Sequence, residues 1–219
     1  MFIGHFGLGM GIKRSTPAIS LGTLFIAVQL LDLVWPFLLL FHVETVAIHP
    51  ELSGARNLEF TSYPYTHSLV GALVWSVLFG GVYFLIKKNK RQALFLGAAV
   101  FSHWVLDLLV HFHDLPLWPG ASTPYVGFGL WDSALITNLL EGLLFGVGIM
   151  LYLRSVTFKN SLGKILFGLL IALLLLVQIS NLSAPPPPNV KTLAWMAQLQ
   201  WIFVLLAYWV DRNTLIKYS

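Results

Sequence analysis

The stretch FSHWVLDLLVH, residues 101–111, is apolar enough for a membrane helix, yet it carries His103, Asp107 and His111 at intervals of four. Four residues turn a helix through about 400°, so these side chains drift by only about 40° each and share one face. Imidazole nitrogen and carboxylate oxygen are the donors that zinc and similar divalent ions take. An unpaired His or Asp facing lipid is costly, so this face is expected to point inward, toward partners.

Groups of the same kind stand on other apolar segments. With a helical rise of 1.5 Å per residue, His103 lies about 18 Å from Arg91, Asp107 about 24 Å and His111 about 30 Å. Asp32 lies about 27 Å from Arg14, His67 about 30 Å from Lys87 and Glu141 about 20 Å from Arg154. Four helices are therefore expected to bring ionisable groups to one outer layer of a hydrocarbon core about 30 Å thick. Pairing among themselves is one way to satisfy them; a shared divalent cation, zinc above all, satisfies several at once. Glu141 has a local alternative in Thr137 and Asn138 on its own helix. In contrast, His42, Glu44, His49, Glu51 and Glu59 fall between two spans and are expected to be solvated. His113 and Asp114, just past the third span, are rim groups, and Trp35, Trp118 and Trp131 are expected in the interfacial aromatic belt.

The elements that must hold these residues follow from composition. Of 219 residues 57% are hydrophobic and only 10% charged, with a mean hydropathy of +0.78, which excludes an ordinary soluble domain. Windows of about 20 apolar residues occur near 17–41, 65–86, 93–111, 133–153, 162–182 and 193–210. Lys13 and Arg14, the run from Lys87 to Arg91, Arg154 to Lys164, and Arg212 with Lys217 place eleven of the thirteen basic residues on alternate connections. Basic loops are retained in the cytoplasm. The expected fold is all-α: a single helical membrane domain, 1–219, with six transmembrane helices and both termini cytoplasmic. Loops 42–64, 112–132 and 183–192 then face outward.

The net charge of +4 is thus a topology signal, and no nucleic-acid partner follows from it. The absence of Cys excludes thiolate ligands and disulfides. Lys13 and Arg14 resemble the start of a signal peptide, but the apolar run behind them is too long, contains Asp32 and has no small-residue cleavage site, so it reads as a retained span. No internal repeat suggests two related halves. MFIGHFGLGMGI, before Lys13, is too short to cross and is expected at the interface or as a half-helix packed on the bundle, its glycines allowing close approach. APPPPNV, 184–190, reads as a stiff extended connector.

GHFGLG around His5, LLDLVWP around Asp32, YPYTHSL around His67 and FSHWVLDLLVH around His103 and Asp107 resemble, in that order, the membrane-bound metal-dependent hydrolases. This bacterial family is related by motif order to the zinc-dependent phospholipase C superfamily. The resemblance covers roughly residues 1–114 and implies that His5, Asp32, His67, His103 and Asp107 are metal ligands in the cytoplasmic (inner) membrane. A helical His5 would lie about 12 Å above Lys13, shallower than the rest, so its segment must tilt toward the site to contribute. The superfamily's further ligands after the H-x-x-x-D helix have no clear H-x-x-x-E counterpart here; His111, His113, Asp114 and Glu141 are what the chain offers.

The expected function is a membrane-embedded hydrolase opening outward, its divalent metal activating water and polarising a substrate oxygen, with Glu141 or Asp114 handling protons. The resemblance implies as substrate a phosphoester of a phospholipid or lipid-linked molecule. A divalent-cation or proton transporter is the rival, but transport needs a polar path through both halves of the membrane. The cytoplasmic halves are nearly all Leu, Val, Phe, Ala and Gly, with no acidic residue or His apart from His5. A metal-stabilised structural or regulatory protein would instead have a closed coordination shell.

Overall fold

The computed structural model describes residues 1–52 and 54–217. A short helix, α1 (Ile3–Ile12), precedes the long α2 (Leu21–Leu40). A strand pair, β1 (Thr45–Ile48) and β2 (Leu58–Ser62), leads to one helical turn, α3 (Pro64–His67), then to α4 (Leu69–Lys87) and α5 (Lys90–Val110). The two-residue strands β3 (Leu115–Pro116) and β4 (Tyr125–Val126) cross the next loop. There follow α6 (Ala134–Ser155), β5 (Val156–Phe158), α7 (Ser161–Ser183), α8 (Val190–Gln198), α9 (Gln200–Arg212) and β6 (Thr214–Ile216). Six stretches are long and apolar enough to cross a membrane, the last being α8 and α9 taken together. This is a multi-pass helical membrane protein, and the six expected spans match within a few residues.

The span boundaries have local causes. Ser20, Ser68, Asn89, Ser133, Asn160 and Asn189 each accept a backbone N–H three residues on, capping α2, α4, α5, α6, α7 and α8. Such caps satisfy amide groups that hydrocarbon cannot. Lys88, in the left-handed region at φ 54°, ends α4 and turns the chain straight into α5. Much of α4, α6 and α7 presents apolar side chains such as Val77, Leu85, Leu139, Leu143, Ile165 and Leu176 to the outside, as a lipid-facing surface requires.

The N-terminal segment takes the packed alternative. Ile3, Gly4, His5, Phe6, Gly7, Gly9 and Met10 are all buried, with α1 lying mainly against α6 and α2. Small residues make that approach possible: a Cβ on Gly7 would stand 2.6 Å from the Leu144 carbonyl oxygen and the Phe145 Cα, and one on Gly148 would strike the Gly7 carbonyl. These obstacles are backbone, so they cannot rotate away. Gly7→Ala is expected to shift α1 and cost about 1–3 kcal/mol, read as a lowered unfolding temperature in detergent. Gly168→Ala, which meets nothing within 4 Å, is the control expected to be neutral or stabilising; equal loss in both variants would show the contact to be unimportant.

Lys13 is also buried, its Nζ donating to the Ile19 carbonyl and to Asp211 Oδ1, both at 2.7 Å. Buried and paired inside the protein, it is a poor marker of the membrane surface from which to count the depth of His5. The depth expected for Asp32 is corrected. Because residues 14–20 form turns and not helix, Asp32 stands about 17 Å along α2, nearer the middle than a 27 Å count from Arg14 implies.

Candidate metal centre

Four elements deliver five side chains to one point. His103 and Asp107 lie one turn apart on α5, and both are buried. Asp32 comes from α2, four residues before Pro36, which has no N–H to offer the Asp32 carbonyl; the helical ladder is thus interrupted beside the site. His67 ends α3, where Pro64 begins the turn and extended Ser68 (φ −74°, ψ 154°) separates it from α4. It is therefore held on its own turn, outside the long span expected to include it. His5 arrives on α1, and its ring stacks on that of His103 with centroids 3.8 Å apart and planes within 5°.

Asp107 is the hub. Its Oδ1 lies 3.1 Å from His5 Nε2 and 2.8 Å from the Met1 amino nitrogen, while Oδ2 lies 3.1 Å from His103 Nε2 and 3.9 Å from His67 Nε2. Asp32 Oδ1 lies 3.2 Å from His67 Nε2 and 3.7 Å from His103 Nε2. Two overlapping sets each have donor atoms within 4.8 Å of one another, His5/His103/Asp107 and Asp32/His67/His103. His103 belongs to both.

Hydrogen bonds on the far sides of two rings place a proton on Nδ1 of each. The His103 Nδ1 lies 2.7 Å from the Val28 carbonyl oxygen, which can only accept, so Nδ1 donates and neutral His103 turns a lone pair at Nε2 toward the two carboxylates. The His67 Nδ1 lies 2.7 Å from Thr66 Oγ1, and that hydroxyl already gives its only hydrogen to Glu44 Oε2 at 2.7 Å. His67 must therefore donate from Nδ1, and in its neutral form its Nε2 also presents a lone pair to the cluster. His103 Nε2 is buried without a hydrogen-bond partner despite the nearby Asp107 oxygen. Lone pairs facing carboxylates repel unless a proton or cation lies between them.

This donor set fits a divalent ion. Two donors bound tetrahedrally to zinc at 2.0–2.1 Å lie about 3.3 Å apart, close to the 3.1 and 3.2 Å separations within the cluster. The outward ring bonds to a carbonyl and to a carboxylate-backed hydroxyl are those that orient imidazole ligands. Asp32 has a side-chain exposure of 24%, against 0–5% for His5, His67, His103 and Asp107, so the cluster is accessible on its Asp32 side.

Glu44 differs from its expected role as a solvated loop residue. It is buried and accepts from the Tyr65 and Thr66 amides on Oε1, as well as from the Thr66 hydroxyl. The short connection after α2 folds it beneath α3, a placement with no helical period to reveal it. Gln29 is a further polar group beside the site: one turn before Asp32, it is wholly buried with neither amide atom partnered among the described residues. A lone Gln in an apolar run was the available signal.

Other candidates lie apart from the cluster. The α5 helix stops at Val110, and extended His111 (ψ 147°) leaves the face carrying His103 and Asp107. Its Nδ1 instead pairs with Asp114 Oδ1 at 3.0 Å, and its ring packs 4.0 Å from that of Trp131. His111 belongs to neither donor set. Glu141 is buried, with Oε2 accepting from the amides of Phe2 at 2.7 Å and Gly4 at 3.2 Å. It holds the start of α1, where a carboxylate also meets the positive end of the helix dipole. Thr137 and Asn138 bind elsewhere, at the Leu130 and Ala134 carbonyls.

A cleft of about 510 Å³ beside β1 and β2 is lined by residues including Arg56, Glu59, Phe112, Asp114 and Asp132. His49, also on its wall, bonds Glu59 and Glu51, and these carboxylates raise its pKa above the ordinary imidazole value. Tyr63 and Phe60 pack against the His111 ring, and burial pushes the Tyr63 phenol up. Trp35 is buried in this region, whereas Trp118 remains exposed.

Compared with known proteins, the chain matches no family model, no curated protein and no solved structure.

Proposed function

We propose that this protein is a membrane-embedded metal-dependent hydrolase acting on a phosphoester of a phospholipid or lipid-linked molecule. Zinc or a similar divalent ion would be held by Asp32, His67, His103 and Asp107. The observation that carries the reading is the convergence of His67 Nε2 and His103 Nε2 on the Asp32 and Asp107 carboxylates, with both Nδ1 atoms hydrogen-bonded away from the cluster. The ordered resemblance of the His5, Asp32, His67 and His103/Asp107 motifs to membrane-bound metal-dependent hydrolases adds the reaction class. The distribution of basic residues supports a site on the extracytoplasmic side.

Such an ion, when bound, supplies Lewis-acid chemistry: it makes a water acidic and draws charge from a phosphoryl oxygen. The chain's own groups do the rest. Val28 and the Glu44–Thr66 pair fix the two imidazoles, and His5 donates to Asp107 Oδ1 so that Oδ2 faces the cluster. Asp32 borders the accessible side, where a headgroup would enter. The His111–Asp114 pair, of which Asp114 lines the outer cleft, would pass a proton to a leaving oxygen. Glu141, already accepting two amides, serves α1 instead.

Purified protein in phospholipid mixed micelles is expected to release a water-soluble phosphorylated headgroup. Chelator should stop the release and zinc restore it, and Asp107→Ala should lower it on the order of a hundredfold or more. Equal turnover by Asp107→Ala would sink the hydrolase assignment; zinc flux into sealed vesicles, lost in the same variant, would replace it with transport.

A further inference from the structure

The opposite end of the bundle carries a cleft unrelated to the metal centre. About 460 Å³ in volume, it is lined by Arg14, Ser15 and Pro17 from the turn between α1 and α2, Arg154 and Ser155 at the end of α6, and Ile216 and Lys217 from the C-terminal strand region. Its three cations come from sequence-distant segments, and among the described residues none that lines it is acidic. The antiparallel pairing of β5 with β6 holds Lys217 there; its amide donates to the Ser155 carbonyl and its Nζ to the Leu153 carbonyl at 3.0 Å.

Two nearby cations are held by partners within the protein. Lys13 pairs with Asp211, and Lys159 Nζ binds the Arg212 carbonyl at 2.7 Å. Among the described residues, Arg14 and Arg154 form no ion pair, although both guanidinium groups have donors arranged for phosphate oxygens. Lys217 retains two Nζ hydrogens beyond its bond to Leu153, and the exposed Ser15 adds a hydroxyl. Pro17 and Ile216 give the same cleft an apolar wall. Like charges gathered in a concave site favour an anion, and the mixed lining suits one joined to a hydrophobic body.

We propose that this cleft binds a phosphate anion carried by a lipid, namely the headgroup of an anionic phospholipid in the leaflet next to the basic loops. Arg14, Arg154 and Lys217 surround the phosphate, while Pro17 and Ile216 contact the start of the glycerol and acyl region. The location between spanning elements suits a bound lipid that links α1, α6 and the C-terminal strand. The site is independent of the metal centre.

The test is binding of phosphatidylglycerol, with phosphatidylcholine as the neutral reference, to the full-length protein in detergent, followed by native mass spectrometry. Arg14→Gln/Arg154→Gln is expected to weaken phosphatidylglycerol binding about thirtyfold, from roughly one unit of surface attraction per charge. Lys87→Gln/Lys90→Gln removes equal charge at the same end and should leave it unchanged. An Arg14→Lys/Arg154→Lys variant, retaining charge, checks folding and should keep part of the affinity. Equal losses in both Gln pairs, or equal binding of the two lipids, would overturn the site. Competition by millimolar inorganic phosphate that fully displaces phosphatidylglycerol would keep a phosphate site but overturn its assignment to a lipid.

Discussion

Protein purified without chelator is expected to carry stoichiometric divalent metal, and His103→Ala to lose it more completely than any other single substitution in the cluster. His103 is shared by both possible donor sets, so removing it breaks each of them. It also leaves Asp32 and Asp107 facing the vacated space without the intervening imidazole. Because loss of an outer-shell partner alone costs about 10–100-fold in affinity, loss of this ligand should cost roughly a hundredfold or more. His67→Ala breaks only the set containing Asp32, and His5→Ala only the other. If the proposed ligand set is right, His5→Ala retains metal while His67→Ala does not. Elemental analysis of the three variants decides it: unchanged metal in His103→Ala would remove the metal centre altogether. Thermal unfolding adds a second readout, since ligand at 1,000 times its Kd stabilises the folded state by about 4 kcal/mol.

Glu44→Ala is expected to weaken metal binding about 10–100-fold without touching a ligand. The cause is the chain from Glu44 through Thr66 to His67 Nδ1. Without the carboxylate, the Thr66 hydroxyl can turn its hydrogen toward Nδ1, and the ring then has reason to place its own proton on Nε2, where the metal lone pair should be. The Tyr65 and Thr66 amides also lose their acceptor, loosening the turn that carries His67. Thr66→Val removes the same relay while leaving Glu44 to bind the two amides. Similar losses in Thr66→Val and in the double variant would assign the effect to the relay, because residues acting in one network are not additive. Affinity measured by competition with a chromophoric chelator provides the comparison. An unchanged affinity in Glu44→Ala would reduce this contact to a structural cap for α3.

The helical spans were legible because hydrocarbon leaves little freedom: about twenty apolar residues and a polar cap are enough to mark each one. The five residues His5, Asp32, His67, His103 and Asp107 were legible for the related reason that polar groups in such runs need partners. Finer placement was not. His111 follows the four-residue spacing, but Val110 ends the helix and the spacing no longer has geometric meaning. Glu44 was hidden because loop closure, and no periodicity, buries it. The role of Glu141 depended on the docking of α1, which brings two amides from 137 or more positions away. A helical count from Arg14 overstates the depth of Asp32, because the chain between Arg14 and Leu21 is turn and not helix.

The glycine contact between α1 and α6 also sets an order of assembly. About 120 residues separate the end of α1 from the start of α6, and at synthesis rates of about 5–20 residues per second their production takes roughly 6–24 s. During that interval His5 has been made, but neither the Gly148 groove nor the Glu141 acceptor that holds α1 exists. The segment must wait beside the membrane or in a provisional position until α6 inserts. Closure of the five-residue cluster is therefore a late event in biogenesis, gated by a helix that contributes no metal donor to it.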